Sequence, residues 1–282
     1  MLKDYNALIV YLKNKVGIDL TGYRREFVLR RIRAHMMSLG LKDLKEYTRI
    51  VVSNPKERSR LLDYLAINVS YFFRDPWCWQ ILTNKCLSEL ILKRRNIRVW
   101  SAGCACGEEP YTVSIIFHEL LKGRIKSYNI RIYATDIDRN AIEKAKQGIY
   151  SSSSLIYVPQ SIKSKYFRYV GKDKYKIVNS VKALVTFKVH NLLINLPLKG
   201  MNVILCRYVL IYINTKGRKK VLHNLVQALF DNGILMLGPS EYISHNEYGL
   251  EPVDIRARIY RKRITPSDSL PHKSGWKANT LL

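Results

Sequence analysis

Between Arg98 and Ile115 the chain reads RVWSAGCACGEEPYTVSI: a short apolar strand, a glycine-bearing loop and the start of a helix. The order of those pieces is that of a nucleotide-binding turn, but the contents differ. There is no G-x-G-x-x-G and no lysine in the loop, and two adjacent carboxylates, Glu108 and Glu109, stand where the helix begins. A pyrophosphate would want bare N–H groups and a nearby cation, and these carboxylates would repel it. A ligand with hydroxyls and positive charge but no phosphate suits the turn better. Gly103 and Gly107 permit close backbone approach and positive φ. The next strand-like run, IRIYATDID, brings in Asp136 where a ribose-binding carboxylate is expected, about 20–30 residues on. S-adenosylmethionine, with a ribose, an adenine, an ammonium and a sulfonium, meets these demands where NAD and ATP do not. On spacing alone, two solvated glutamates at a helix start, favoured by the helix dipole, would account for the carboxylates equally well.

The elements that must hold such a turn are legible as periodicity. Up to about residue 67 the pattern is helical: Leu8, Ile9, Leu12 and Val16 share a face before Gly17, and Phe27, Leu29, Ile32 and Met36 share another before Gly40. Two further helical runs flank Asn54-Pro55. From about residue 97 strands and helices alternate: IRVWSA, then a helix with Pro110 in its first turn, IRIYATDID, then RNAIEKAKQGIY, the continuous apolar run MNVILCR, then TKGRKKVLHNLVQALF closed by Asp231-Asn232-Gly233, then ILMLG and RARIYRKR. Such alternation predicts a mostly parallel sheet covered on both faces. Residues 165–190 break the pattern and predict a small β-rich insertion, and residues 265–282, polar and bearing Pro and Ser, predict a mobile tail.

With 282 residues, 47% of them hydrophobic, the chain can bury a sizeable core, which excludes general disorder. The net charge of +26 favours acidic partners or, more simply, lysine-solvated surfaces. The five cysteines, Cys78, Cys86, Cys104, Cys106 and Cys206, form no paired Cys-x-x-Cys array, so no zinc site is expected and reduced thiols are. No apolar run approaches the roughly 18 residues of a membrane span, and a signal peptide is not expected, which predicts a cytoplasmic protein. Phe72, Phe73, Trp77, Trp79, Cys104 and Cys106 are read as packing residues, and His190 and His223 as structural or surface residues.

Several stretches resemble one family. SAGCACGEEPYTVSI is similar to the S-A-G-C-S-T-G-E-E-P-Y-S signature of the CheR chemotaxis receptor methyltransferases. INVSYFFRD (67–75), ATDIDRNAIEKAKQGIY (134–150), VHNLL (189–193), VILCRYVLIYI (203–213) and LMLGPSE (235–241) resemble further motifs of that family, in order, over nearly the whole chain. The resemblance implies a Rossmann-like class I methyltransferase domain with a small β-subdomain, preceded by an all-α domain. The boundaries it suggests are 1–75, 76–264 with the subdomain at 165–190, and the tail at 265–282. It implies methyl transfer from S-adenosylmethionine to glutamate side chains on the cytoplasmic helices of chemoreceptors, leaving S-adenosylhomocysteine, by a monomer without a metal, nucleic acid or membrane insertion. Carried over position by position, the cofactor contacts are Asn68, Ser70, Arg74, Glu109, Asp136, Asn191, Leu192, Tyr208 and Val209. Asp136 would accept from ribose hydroxyls, Arg74 would lie near the transferred methyl, and Tyr212 would wall the pocket.

The chain departs from the pattern at four positions. Tyr208 stands for an Asn, Ser70 and Cys106 for Thr, and Pro239 for a His. The Tyr208 ring would either stack on the adenine or occlude it, which opens a second reading: a cofactor- or receptor-binding module without turnover. A third is an RNA methyltransferase, which the charge invites. Base amino-methylation, however, uses an Asn/Asp-Pro-Pro-aromatic motif where this chain has Cys206-Arg207-Tyr208-Val209. The short Gly-Lys-Asp-Lys turn within the insertion predicts independence from a receptor's C-terminal tether.

Overall fold

The computed structural model describes residues 2–16, 19–65 and 68–264, so the expected helix stop at Gly17 and the expected tail lie outside the described residues. Four helices come first: α1 (Leu2–Val16), α2 (Arg25–Ser38), α3 (Leu44–Ser53) and α4 (Pro55–Leu65). Their apolar stripes close on Leu8, Leu12, Val28, Ile32, Tyr47, Val51 and Leu61, all without solvent exposure. Val28 joins that stripe fully buried, while the expected Leu29 packs half-buried against it. Asp43 caps α3 by accepting from the N–H groups of Lys45 and Glu46. Inside the bundle His35 joins α2 to α3 and α4, with Nδ1 2.9 Å from the Tyr47 hydroxyl and Nε2 3.2 Å from Glu57.

Residues 68–75 then cross to α5 (Pro76–Leu82), which continues through a π-helical turn at Thr83–Leu87 into α6 (Ser88–Lys93). Phe72 pins this crossing, fully buried and edge-on to Tyr150 and Phe167. Trp79 is buried and donates Nε1–H to the Arg74 carbonyl, whereas Trp77 stays exposed. The remaining elements in chain order are β1 (Asn96–Ala102), α7 (Glu108–Leu121), β2 (Asn129–Asp136), α8 (Arg139–Gln147), β3 (Ile149–Ser151), α9 (Gln160–Tyr166), β4 (Phe167–Gly171) and β5 (Lys174–Ile177). They are followed by α10 (Asn179–Lys182), β6 (Val185–Val189), β7 (Met201–Cys206), α11 (Thr215–Ala228), β8 (Leu229–Leu237), β9 (Leu250–Asp254) and β10 (Ile259–Lys262).

The main sheet runs β6-β2-β1-β7-β8-β10-β9, parallel through β8 and antiparallel beyond it. Strand order reverses between β1 and β7, which opens a crevice at the carboxyl ends of those strands. Both faces are covered. Ile97, Val99, Val203 and Leu205 share a core with Val113 and Phe117 of α7, while Trp100, Ile204 and Cys206 share one with Val221, Leu222 and Leu225 of α11. Strand β7 is buried at every residue, as its unbroken apolar run requires. All five cysteines are free thiols. Among the described residues no helix is long and apolar enough to cross a membrane.

Three expectations need correction. The small sheet, β3-β5-β4, begins at Ile149, and residues 185–189 of the expected insertion belong to the main sheet, parallel to β2. As an edge strand β6 buries only part of each face, so its pattern resembles that of a hairpin strand. The last helix ends at Ala228, and Asp231-Asn232-Gly233 lies within β8, where Asn232 adopts φ +62° beside a shift in the β7–β8 register. The edge strand β9 was not expected. The turn between β4 and β5 places Lys172 and Asp173 both at positive φ, as a tight hairpin demands.

Candidate cofactor site

A cleft of about 950 Å³ opens at the carboxyl ends of β1, β2, β6 and β7 and is roofed by the helical bundle. Asn68, Ser70 and Arg74 line it from the crossing segment, and Glu109 and Asp136 from the ends of the first two strand–helix units. Asn191 and Leu192 follow β6, and Tyr208, Val209 and Tyr212 follow β7. Every residue expected at the site therefore meets in one cavity. The bundle contributes Phe27 and Asp63, and Phe27 packs on the Tyr212 ring with centroids 4.7 Å apart.

The acidic turn splits into two unlike carboxylates, and neither is a solvated helix-start charge. Glu109 faces the cleft. It accepts from the Ser101 hydroxyl at 2.7 Å, and its other oxygen lies 3.8 Å from Arg207 Nη1. Burial pushes its acid form up, with the Arg207 charge and the Ser101 bond working against it. Glu108 turns away from the cleft and is 4% exposed, with Oε2 lacking any hydrogen-bond partner among the described residues. Burial raises its pKa to about 7, against the opposing pull of backbone and Ser70 hydrogen bonds.

Glycine is required where the loop touches β2 and the β7 turn. Gly103 and Cys104 both donate their N–H groups to the Thr135 carbonyl, at 2.8 and 2.9 Å. At φ +86°, a Cβ on Gly103 would stand 2.4 Å from a Val209 methyl. Asp136 holds the next loop by accepting from the N–H groups of Ala105 and Asp138, each at 2.9 Å. Each of its oxygens keeps a lone pair for a ligand hydroxyl. Asp138 caps α8 and also accepts from Asn68 at 2.7 Å, which ties the crossing segment to the strand end. Cys104 is buried and Cys106 half-buried, and burial pushes the Cys106 thiol to about 12, so these are packing residues and not nucleophiles.

Three functional residues were missed because they lay inside quoted motifs without an assigned task. Glu241, 1% exposed, accepts from the N–H groups of Tyr208 (2.8 Å), Leu210 (2.7 Å), Ile211 (3.3 Å) and Gly238 (2.7 Å). A single buried carboxylate thereby shapes the whole turn after β7. Arg207, buried and lining the cleft, pairs with half-buried Asp75 at 2.5 Å, and Arg207 Nη2 also donates to the Arg74 carbonyl at 3.0 Å. Tyr208 sits at φ +59° with its hydroxyl 2.6 Å from Asp75, and its ring lies 3.6 Å beneath the Arg74 guanidinium. The ring is thus held against Arg74 in the wall of a cleft that stays open.

The lining fits S-adenosylmethionine. Glu109, Asp136 and Asp138 give it a negative floor suited to hydroxyls and a cation, and Gly103 gives a close backbone approach. Among the described residues no lysine lines it.

Comparison with known proteins agrees. Residues 3–66 match the family described as CheR methyltransferase, all-alpha domain, and residues 68–259 match CheR methyltransferase, SAM binding domain. A chemotaxis protein methyltransferase of Borreliella burgdorferi is 31% identical over 253 residues, covering 86% of this chain and 89% of that protein. One from Listeria innocua is 29% identical over 250 residues, covering 88% and 94%. The all-α bundle, the parallel sheet with its switch-point cleft, and matches spanning both parts of the chain place it in the CheR family of S-adenosylmethionine-dependent methyltransferases.

Proposed function

We propose that this chain methylates glutamate side chains on the cytoplasmic helices of chemoreceptors, acting as a cytoplasmic monomer. The observation that carries this reading is the convergence of all ten expected site residues, from five separate stretches, on one cleft beneath a basic helical bundle. Bound S-adenosylmethionine supplies a methyl group already activated by the positive sulfur. The acceptor carboxylate is a nucleophile at neutral pH, so the protein has no proton to remove. Its task is positioning and exclusion of water. Asp136 and Asp138 hold the ribose end, and Glu109 faces the cationic part of the cofactor. Arg74 presents its guanidinium to the incoming carboxylate, and Tyr212 with Phe27 closes the apolar wall under the bundle.

The test is incubation with methyl-labelled S-adenosylmethionine and a receptor cytoplasmic fragment. Base-labile label on the fragment, lost when its acceptor glutamates are changed to alanine, is the expected result. Cofactor binding without label transfer would overturn the reading in favour of a binding module without turnover. Label on RNA would overturn it in favour of a nucleic-acid substrate.

A further inference from the structure

Position 208 holds a residue that its backbone does not favour. At φ +59° the left-handed conformation suits Gly or Asn and strains a bulky side chain. Such a residue persists where its surroundings over-determine it, and those surroundings point to its use. The Tyr208 N–H is fixed by Glu241 (2.8 Å), its hydroxyl by Asp75 (2.6 Å), and its ring faces the Arg74 guanidinium at 3.6 Å.

Arg74 is held with equal care. Its neighbours Phe73 and Asp75 both have positive φ, at +54° and +56°. Its carbonyl accepts from Trp79 Nε1 (2.9 Å) and Arg207 Nη2 (3.0 Å). Among the described residues its guanidinium makes one hydrogen bond, from Nη1 to the Val69 carbonyl at 3.2 Å. The rest of the fork is left for a ligand in the cleft that Arg74 lines.

We propose that Tyr208 is a positioning residue that fixes the plane of the Arg74 guanidinium for bidentate contact with the acceptor carboxylate. A free arginine side chain samples many rotamers, and stacking on a ring anchored at both ends removes that freedom before the receptor arrives. Asp75 serves both partners, holding the Tyr208 hydroxyl and the Arg207 guanidinium beneath them. This inference rests on the reading of Arg74 as the residue that meets the receptor glutamate.

The experiment is a double-mutant cycle on methyl transfer to a receptor cytoplasmic fragment, with S-adenosylhomocysteine affinity measured by calorimetry and folding by thermal melts. Tyr208→Asn keeps a residue suited to the backbone and removes the platform. It should lower kcat/KM for the receptor about tenfold and change S-adenosylhomocysteine affinity less than about threefold. Tyr208→Phe keeps the ring but loses its Asp75 anchor, and its kcat/KM should fall between those of the parent and Tyr208→Asn. In an Arg74→Ala background, Tyr208→Asn should have no further effect. Additive losses, unchanged receptor kinetics in Tyr208→Asn, or a loss confined to cofactor affinity would each overturn the proposal while leaving the assigned activity standing. A parent chain that transfers no methyl to the receptor would overturn both.

Discussion

The sharpest chemistry at the scale of single residues lies in two neighbouring glutamates with opposite duties. Glu109 meets the cleft and balances Arg207, whereas Glu108 is sealed behind it with one oxygen lacking a partner among the described residues. A buried carboxyl with its pKa raised to about 7 has a definite signature in stability. Between the ordinary glutamate range and about pH 7 the folded chain keeps a proton that the unfolded chain has released. Stability contributed by this residue is therefore present at low pH and is lost as pH rises through that window, by at most about 1.4 kcal/mol per pH unit. Glu108→Gln should remove this slope. The expected outcome is a variant more stable than the parent at about pH 8, with the difference shrinking as pH falls and vanishing below about pH 4, read from urea midpoints at each pH. The neighbouring carboxylates titrate in both proteins and cancel in the comparison. Of the residues at the site, those that touch ligand space were legible as family motifs. Arg207, Asp75 and Glu241 were quoted in those motifs without a task, because their work is to hold backbone and one another, and sequence spacing does not show which carbonyl or N–H a side chain reaches.

At the scale of elements, the site depends on turns meeting closely at the switch point. The loop after β1 passes so near the turn after β7 that a single methyl group would intrude. Gly103→Ala places an L residue at φ +86° and drives its Cβ into Val209, costing about 2–4 kcal/mol in all. Because the obstruction falls on the cleft wall, S-adenosylhomocysteine affinity should drop at least about tenfold in calorimetric titration while the variant still folds. The strong elements were the legible ones. Long amphipathic helices and the fully buried β7 carry periodicity that nothing else imitates. The errors fell on short or half-exposed pieces: β3 with three residues, the edge strands β6 and β9, and the Asp231-Asn232-Gly233 kink within β8. There, pairing across space decides the structure, and local sequence carries little of that information.

At the scale of the whole molecule, a net charge of +26 sits on a chain whose proposed substrate is a glutamate-bearing helix. Helix α2 exposes Arg30 and Arg33, whereas Arg31 is half-buried and donates Nε–H to the Tyr64 carbonyl, a contact internal to the bundle. Charge reversal at Arg31 would thus damage the bundle, and Arg30→Glu is the variant that tests steering by charge alone. It should raise KM for the receptor about fivefold at low salt and leave KM for the cofactor within about twofold. The parent's receptor KM should itself climb as salt rises past about 0.15 M, where surface charges are screened over about 8 Å. Equal effects on both substrates would show that the charge steers nothing.

The cleft draws its lining from Val16 in the first helix through to Ile213 beyond the seventh strand, with Phe27 of the bundle packed on Tyr212 and Asp63 accepting from Asn140 of the sheet domain. No fragment of the chain reproduces that surface. A molecule that fills it touches both parts of the fold, so its binding adds to the direct links between them, such as the Arg24 N–H donated to the Tyr212 carbonyl at 2.8 Å. S-adenosylhomocysteine should accordingly raise the melting temperature of both parts together as its concentration rises.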